Sequence, residues 1–238
     1  MSRATTIARR ELGSYFYSPM AYVVMTLFLV ICGVLFYRDF EPGQPAAMRT
    51  LFDAMVWVLV IAVPLLCMGL LAQEWATGTI ESLMTAPIHE SEVVMGKFLG
   101  SLGFLTILLL PTIFYVLMLR IYARPDFGPI LSGYLGILLV GALFIAVGLF
   151  CSSLTRSQIV AAVAAAAILC LITMVPWWVG SVATLPTFWR NVIDQTVFKR
   201  YTDFSKGIID LGNIIFFLAT TAVFLFVTVK VLESRRWK

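Results

Sequence analysis

Six stretches of this chain, residues 20–37, 54–72, 99–119, 133–151, 159–180 and 214–229, are apolar over the length needed to cross a bilayer. A helix needs about 20 such residues to traverse the hydrocarbon core. The runs are continuous rather than alternating, which excludes a transmembrane β-barrel. Of the 238 residues, 61% are hydrophobic and 13% charged, and the mean hydropathy is +0.95. No soluble domain hides that much apolar surface. The expected fold is an all-α polytopic membrane protein with six transmembrane helices, forming a single domain over residues 1–238. An even number of spans puts both termini on one side.

Charge does not settle which side. With the termini inside, nine of the seventeen Lys and Arg residues lie inside and eight outside, so the positive-inside rule is nearly silent. A pI near 9.0 fits contact with anionic headgroups better than nucleic-acid binding, since no basic, aromatic-interleaved patch accompanies it. Cys32, Cys67, Cys151 and Cys170 are scattered through the apolar runs without metal-ligand spacing and read as small apolar residues. Arg9-Arg10 and the Leu29–Cys32 stretch imitate export signals, but neither has the small residues that cleavage requires.

The longest ordered polar interruption is residues 73–98. It holds Glu74, Glu81, Glu90 and Glu92, four of the thirteen acidic residues, and the sole histidine, His89. Leu70, Leu71, Trp75, Ile80, Leu83 and Met84 recur at helical spacing. Pro87 is expected to break that helix. A second helix is expected after His89, with Ser91 as its cap and Val93, Val94 and Phe98 facing inward. Two short helices bent around a proline at the membrane surface can receive a push.

Two further segments are amphipathic. In residues 2–17, Ala4, Ile7, Ala8, Leu12, Tyr15 and Phe16 share one face, so the segment lies in the interface, as a plain anchor or as a lever against the bundle. Residues 181–212 are too apolar for a solvated loop. Phe188, Trp189, Val192, Ile193 and Val197 form one stripe; Tyr201, Phe204, Ile208 and Leu211 form another, predicting two short helices re-entering the outer leaflet. Pro111 should kink the third span. Gly96, Gly100 and Gly103, and the alanines of residues 161–167, permit close helix approach.

What is missing limits the energy source. None of the six apolar windows contains Asp, Glu, Lys, Arg or His, whereas ion-coupled carriers and pumps need such groups in the bilayer. No Gly-x-x-x-x-Gly-Lys-[Ser/Thr] loop is present, so the chain is not expected to hydrolyse ATP itself. It is not an enzyme alone, and its energy must come from another subunit.

Three motifs carry a family likeness. Glu11-Leu-x-Ser-Tyr-Phe-x-Ser-Pro-x-Ala-Tyr22 resembles the start of type-2 ABC transporter permeases of the gliding-motility-associated group. Glu74-x-x-x-Gly78-Thr79-Ile80-Glu81-x-Leu83-x-Thr85-Ala86-Pro87, followed by Gly96-Lys97, is similar to that family's link between spans two and three. Ser152-Ser-Leu-Thr-x-x-Gln158-Ile-Val-Ala-Ala162 resembles its link between spans four and five, and the Arg235-Arg236-Trp237 ending also fits.

The resemblance implies half of a dimeric ABC exporter in the bacterial cytoplasmic (inner) membrane, with both termini cytoplasmic. Its partners would be a cytoplasmic ATPase dimer carrying ATP-Mg, a second permease chain, identical or paralogous, and an accessory periplasmic or membrane protein; this chain would bind no metal or cofactor. The alternative is a mechanotransmission subunit that relays ATP-driven motion without carrying substrate. Residues 2–17 would be the elbow helix, 73–98 the coupling region and 181–212 the outer re-entrant helices. Candidate ATPase-coupling residues are Glu74, Gly78, Thr79, Glu81, Leu83, Met84, Pro87, Ile88 and Val93, with Arg9, Arg10 and Glu11 on the elbow. Glu81 either pairs with Arg9 or Arg10, or stays solvated beside Glu74 at headgroup level.

Overall fold

A computed structural model describes residues 3–39, 48–78, 89–122, 125–180 and 196–236. These form helices α1 (Arg3–Tyr17), α2 (Pro19–Asp39), α3 (Arg49–Cys67), α4 (Ala72–Thr77), α5 (Glu90–Leu109), α6 (Ile113–Tyr122), α7 (Phe127–Leu154), α8 (Gln158–Gly180), α9 (Val197–Ser205) and α10 (Leu211–Arg236), with a 3₁₀ turn at Leu110–Thr112 and no strand among the described residues. All six expected spans are present, as Pro19–Arg38, Arg49–Thr77, Glu90–Tyr122, Phe127–Leu154, Gln158–Trp178 and Leu211–Ser234. The chain is a multi-pass membrane protein. Its helices run past the apolar windows, so Asp53, Glu74 and Lys97 lie within the ends of spans two and three.

Span four is the axis of the bundle. Its apolar window is 78% buried, against 22% for each of spans one, five and six. Helix α7 packs against α3, α5, α8, α9 and α10. Such enclosure needs small residues where neighbours cross. A side chain at Gly148 would start 2.7 Å from the Cys67 Cβ of span two, and one at Gly141 would collide with Leu105 of span three. Span five contributes a narrow stripe, Ala161, Ala165 and Leu169, each at most 1% exposed.

The prolines act where the sequence places them, with local differences. Pro111 converts one turn of span three to 3₁₀ geometry between α5 and α6, and Thr112 donates to the Leu109 carbonyl at 2.6 Å. Span two keeps Pro64 inside α3, then stops at Cys67, turns, and resumes as α4. The expected stripe through Ile80, Leu83 and Met84 lies outside the described residues, and α4 itself ends at Thr77. Gly78 ends it at φ 73°, a left-handed C-terminal residue that glycine adopts without a Cβ penalty. The next helix is capped by His89 rather than Ser91; the His89 amide donates to the Glu92 carboxylate at 3.2 Å.

Of the two short helices expected over residues 181–212, α9 occupies the place of the second; the first lies outside the described residues except for Val197, which begins α9. The buried stripe of α9 is Val197, Tyr201 and Phe204, whereas Ile208 and Leu211 are more than half exposed. Gly207, at φ 90°, reverses the chain before the stripe can extend. Ser132 of span four donates to the Phe204 carbonyl at 2.7 Å, fixing α9 to the bundle.

Candidate functional site

Helix α1 lies along the start of span three. Ile7, Glu11 and Tyr15 recur every four residues on its inward face, and Glu11 and Tyr15 are both 8% exposed. The approach is close because span three offers glycine where α1 crosses. A Cβ at Gly96 would sit 2.6 Å from Ile7 Cγ2, and one at Gly100 would sit 2.8 Å from Glu11 Cβ and 2.9 Å from the Ala8 carbonyl oxygen. The Gly96-x-x-x-Gly100 spacing therefore serves the N-terminal helix.

Between these glycines the Lys97 ammonium is driven inward, with 2% of its side chain exposed. A buried charge requires partners. Lys97 Nζ donates to Glu74 Oε1 at 2.7 Å and to Glu11 Oε1 at 3.1 Å. Arg10, largely exposed, closes the group from outside, with Nη2 3.2 Å from Glu11 Oε1 and 3.9 Å from Glu74 Oε1. Two carboxylates thus balance two cations across three elements: α1, α4 and α5. The second Glu74 oxygen is buried with no hydrogen-bond partner among the described residues. Such an orphan costs about 1–3 kcal/mol, so Glu74 is held on one side only.

A second layer lies beneath the charges. The Tyr15 hydroxyl lies 2.9 Å from Ser101 Oγ and 3.3 Å from the Leu66 carbonyl oxygen. Ser101 in turn donates to the Lys97 carbonyl at 2.9 Å. The Tyr15 ring stacks on Phe104, centroids 4.7 Å apart. Burial holds the Tyr15 phenol well above its ordinary pKa, so it remains a donor. A crevice of about 770 Å³ opens beside the cluster, walled by Glu11, Tyr15, Leu66, Glu74, Lys97 and Gln158.

A family model described as ABC-2 family transporter protein matches residues 5–237. The chain belongs to this family. The match spans all six membrane-spanning helices and most of the N-terminal helix, and the protein is a membrane permease component of an ABC transporter. In ABC-2 systems the ATPase is a separate protein. A comparison with curated proteins gives no match.

The structure of this ABC-2 permease brings together some of the residues singled out in the sequence. Arg10, Glu11 and Glu74 converge; Arg9 is exposed on the outer face of α1. Gly78 terminates α4. Thr79, Glu81, Leu83, Met84, Pro87 and Ile88 lie outside the described residues, so the pairing considered for Glu81 does too. Among the described residues, Arg10 faces Glu11 and Glu74. Val93 is buried, at 6% exposed.

Lys97, Tyr15 and Ser101 were not among the sequence candidates. The signal for Glu11 was available, because it falls four residues from both Ile7 and Tyr15 on the apolar face. Lys97 stood in the sequence only as part of the Gly96-Lys97 motif, with no periodicity to mark it as buried. A lysine at the edge of an apolar run ordinarily snorkels to the headgroups, and only the overlying α1 turns it inward.

Proposed function

We propose that this permease forms half of a dimeric export pathway and that the Glu11–Glu74–Lys97 cluster transmits movement from a partner ATPase into the spans. The cluster is the observation that carries the reading. It ties the N-terminal helix and the end of span two to the start of span three at a single buried ammonium. A push on residues 79–88 arrives first at α4, which holds Glu74. Displacing Glu74 deprives Lys97 of its shortest contact and shifts the balance among Glu11, Arg10 and Glu74. A two-state relay requires a second arrangement of this group, and the unpaired Glu74 oxygen is the position at which a new partner would be taken up. Both termini and this cluster would face the cytoplasm, where ATP is available. The likeness to gliding-motility permeases favours a bacterial inner-membrane location.

Purification of the tagged chain in mild detergent, with co-purifying proteins identified by mass spectrometry, tests the reading. A stoichiometric ATPase carrying a phosphate-binding loop is expected. Glu74→Gln, which keeps the shape and an acceptor for Lys97 while removing the charge, should keep the complex assembled and weaken the change in ATP hydrolysis that the permease imposes on its partner. Absence of any ATPase in several detergents would overturn the proposal. A third, externally facing chain would favour relay of force to a partner over carriage of a substrate.

A further inference from the structure

The Ser152-Ser-Leu-Thr motif between spans four and five has no role in the cluster above, yet its first residue makes an unusual set of bonds. Ser152 is fully buried. Its hydroxyl accepts from the Leu71 and Ala72 amides, each at 3.0 Å, and donates to the Met68 carbonyl at 3.1 Å. A serine hydroxyl has one donor and two acceptor positions, and all are used on one short segment. That segment is the interruption of span two between α3 and α4. A helix break inside a bundle leaves carbonyls behind it and amides ahead of it unpaired. Leu71, at the N-cap position of α4, has no side-chain acceptor to offer. Ser152 supplies from span four what span two lacks.

We infer that Met68–Leu71 is a joint in span two and that Ser152 is the positioning residue that latches it. Pro64 lies one turn before the break, and Gly69 lies within it. Beyond the joint, α4 is six residues long and carries Glu74. The latch therefore sets the resting angle of the arm that presents Glu74 to Lys97. Ser153, its buried neighbour, donates to the Phe150 carbonyl of its own helix at 2.6 Å and to no other group among the described residues. The geometry thus separates a latch from a local bond at adjacent positions. The inference rests on the proposed relay for its purpose, although the joint itself does not.

Hydrogen exchange at residues 71 and 72, with the separation of spin labels at positions 77 and 157, tests this in the purified complex. Ser152→Ala should speed exchange by about tenfold, the equivalent of one or two net hydrogen bonds, and broaden the label separation. Ser152→Cys keeps the shape but bonds weakly; it should fall between, and it reports if the alanine variant does not fold. Ser153→Ala should change neither reading. Unchanged exchange would remove the latch. Faster exchange with an unbroadened separation would reduce Ser152 to a cap and overturn the joint. An ATP analogue that fails to move the labels in the wild-type complex would count against the relay, while the joint would still stand or fall on the comparison of the variants.

Discussion

At the scale of single residues, Lys97 is where the sequence and its environment conflict most. Its ammonium is sealed from solvent and held by two carboxylates on other helices. Lys97→Met removes the cation and leaves Glu11 and Glu74 facing each other in a buried site. The expected loss of stability is about 3–5 kcal/mol, visible as a fall in the detergent melting temperature. Replacing Glu11, Glu74 and Lys97 together by Leu, Met and Met should recover most of that loss, because a well-packed apolar group removes the desolvation cost. The recovered protein should not regulate its ATPase. Tyr15 makes a separate prediction. Its folded-state pKa is raised by burial, so its contribution is complete below the unfolded value of about 10 and is lost as pH rises beyond it. Tyr15→Phe should cost about 1 kcal/mol at neutral pH and lessen the alkaline loss of stability followed by thermal unfolding between pH 8 and 11.

At the scale of elements, the contact of α1 with span three depends on two glycines. Gly100→Ala places a methyl against the Glu11 Cβ and the Ala8 carbonyl, and backbone yields less readily than a side-chain tip. The expected cost is about 1–3 kcal/mol, paired with faster maleimide labelling of a cysteine at position 8. Gly103→Ala meets only the Leu12 methyls, at 3.6 Å and beyond, and should leave labelling unchanged. The glycine spacing was legible in the sequence, but its partner was not. Spacing alone shows that something approaches; the same three residues would suit a neighbouring span. The helix at the end of span two illustrates the same limit. Trp75 belongs to α4, and the helix ends at Gly78, whose left-handed conformation glycine adopts without a Cβ penalty, a stop that the helical period of the segment does not signal.

At the scale of the whole molecule, burial is uneven. Span four is enclosed, while spans one, five and six each turn most of their surface outward. In the proposed dimer these outward faces would be shared between lipid and the second permease chain. Brominated lipid should quench a tryptophan placed at Leu171, which is 62% exposed, and not one placed at Leu149, which is fully buried. Loss of quenching at position 171 in the assembled complex, with quenching retained at Leu218 on span six, would assign the span-five face to the partner permease.

The sequence by itself determined the class of this protein. Six apolar runs of bilayer length leave the backbone no alternative to helices, because hydrocarbon offers it no hydrogen bonds, and the ordered motifs of its links placed it among the ABC-2 permeases. The tertiary structure decided which charges meet and which serine closes the joint. Glu11, Glu74 and Lys97 are separated by as many as 86 positions, and Ser152 stands 80 positions from Ala72. No local periodicity encodes such pairings. They follow from α1 lying across two glycines and from span two breaking beside span four, where desolvation makes every unpaired polar group costly.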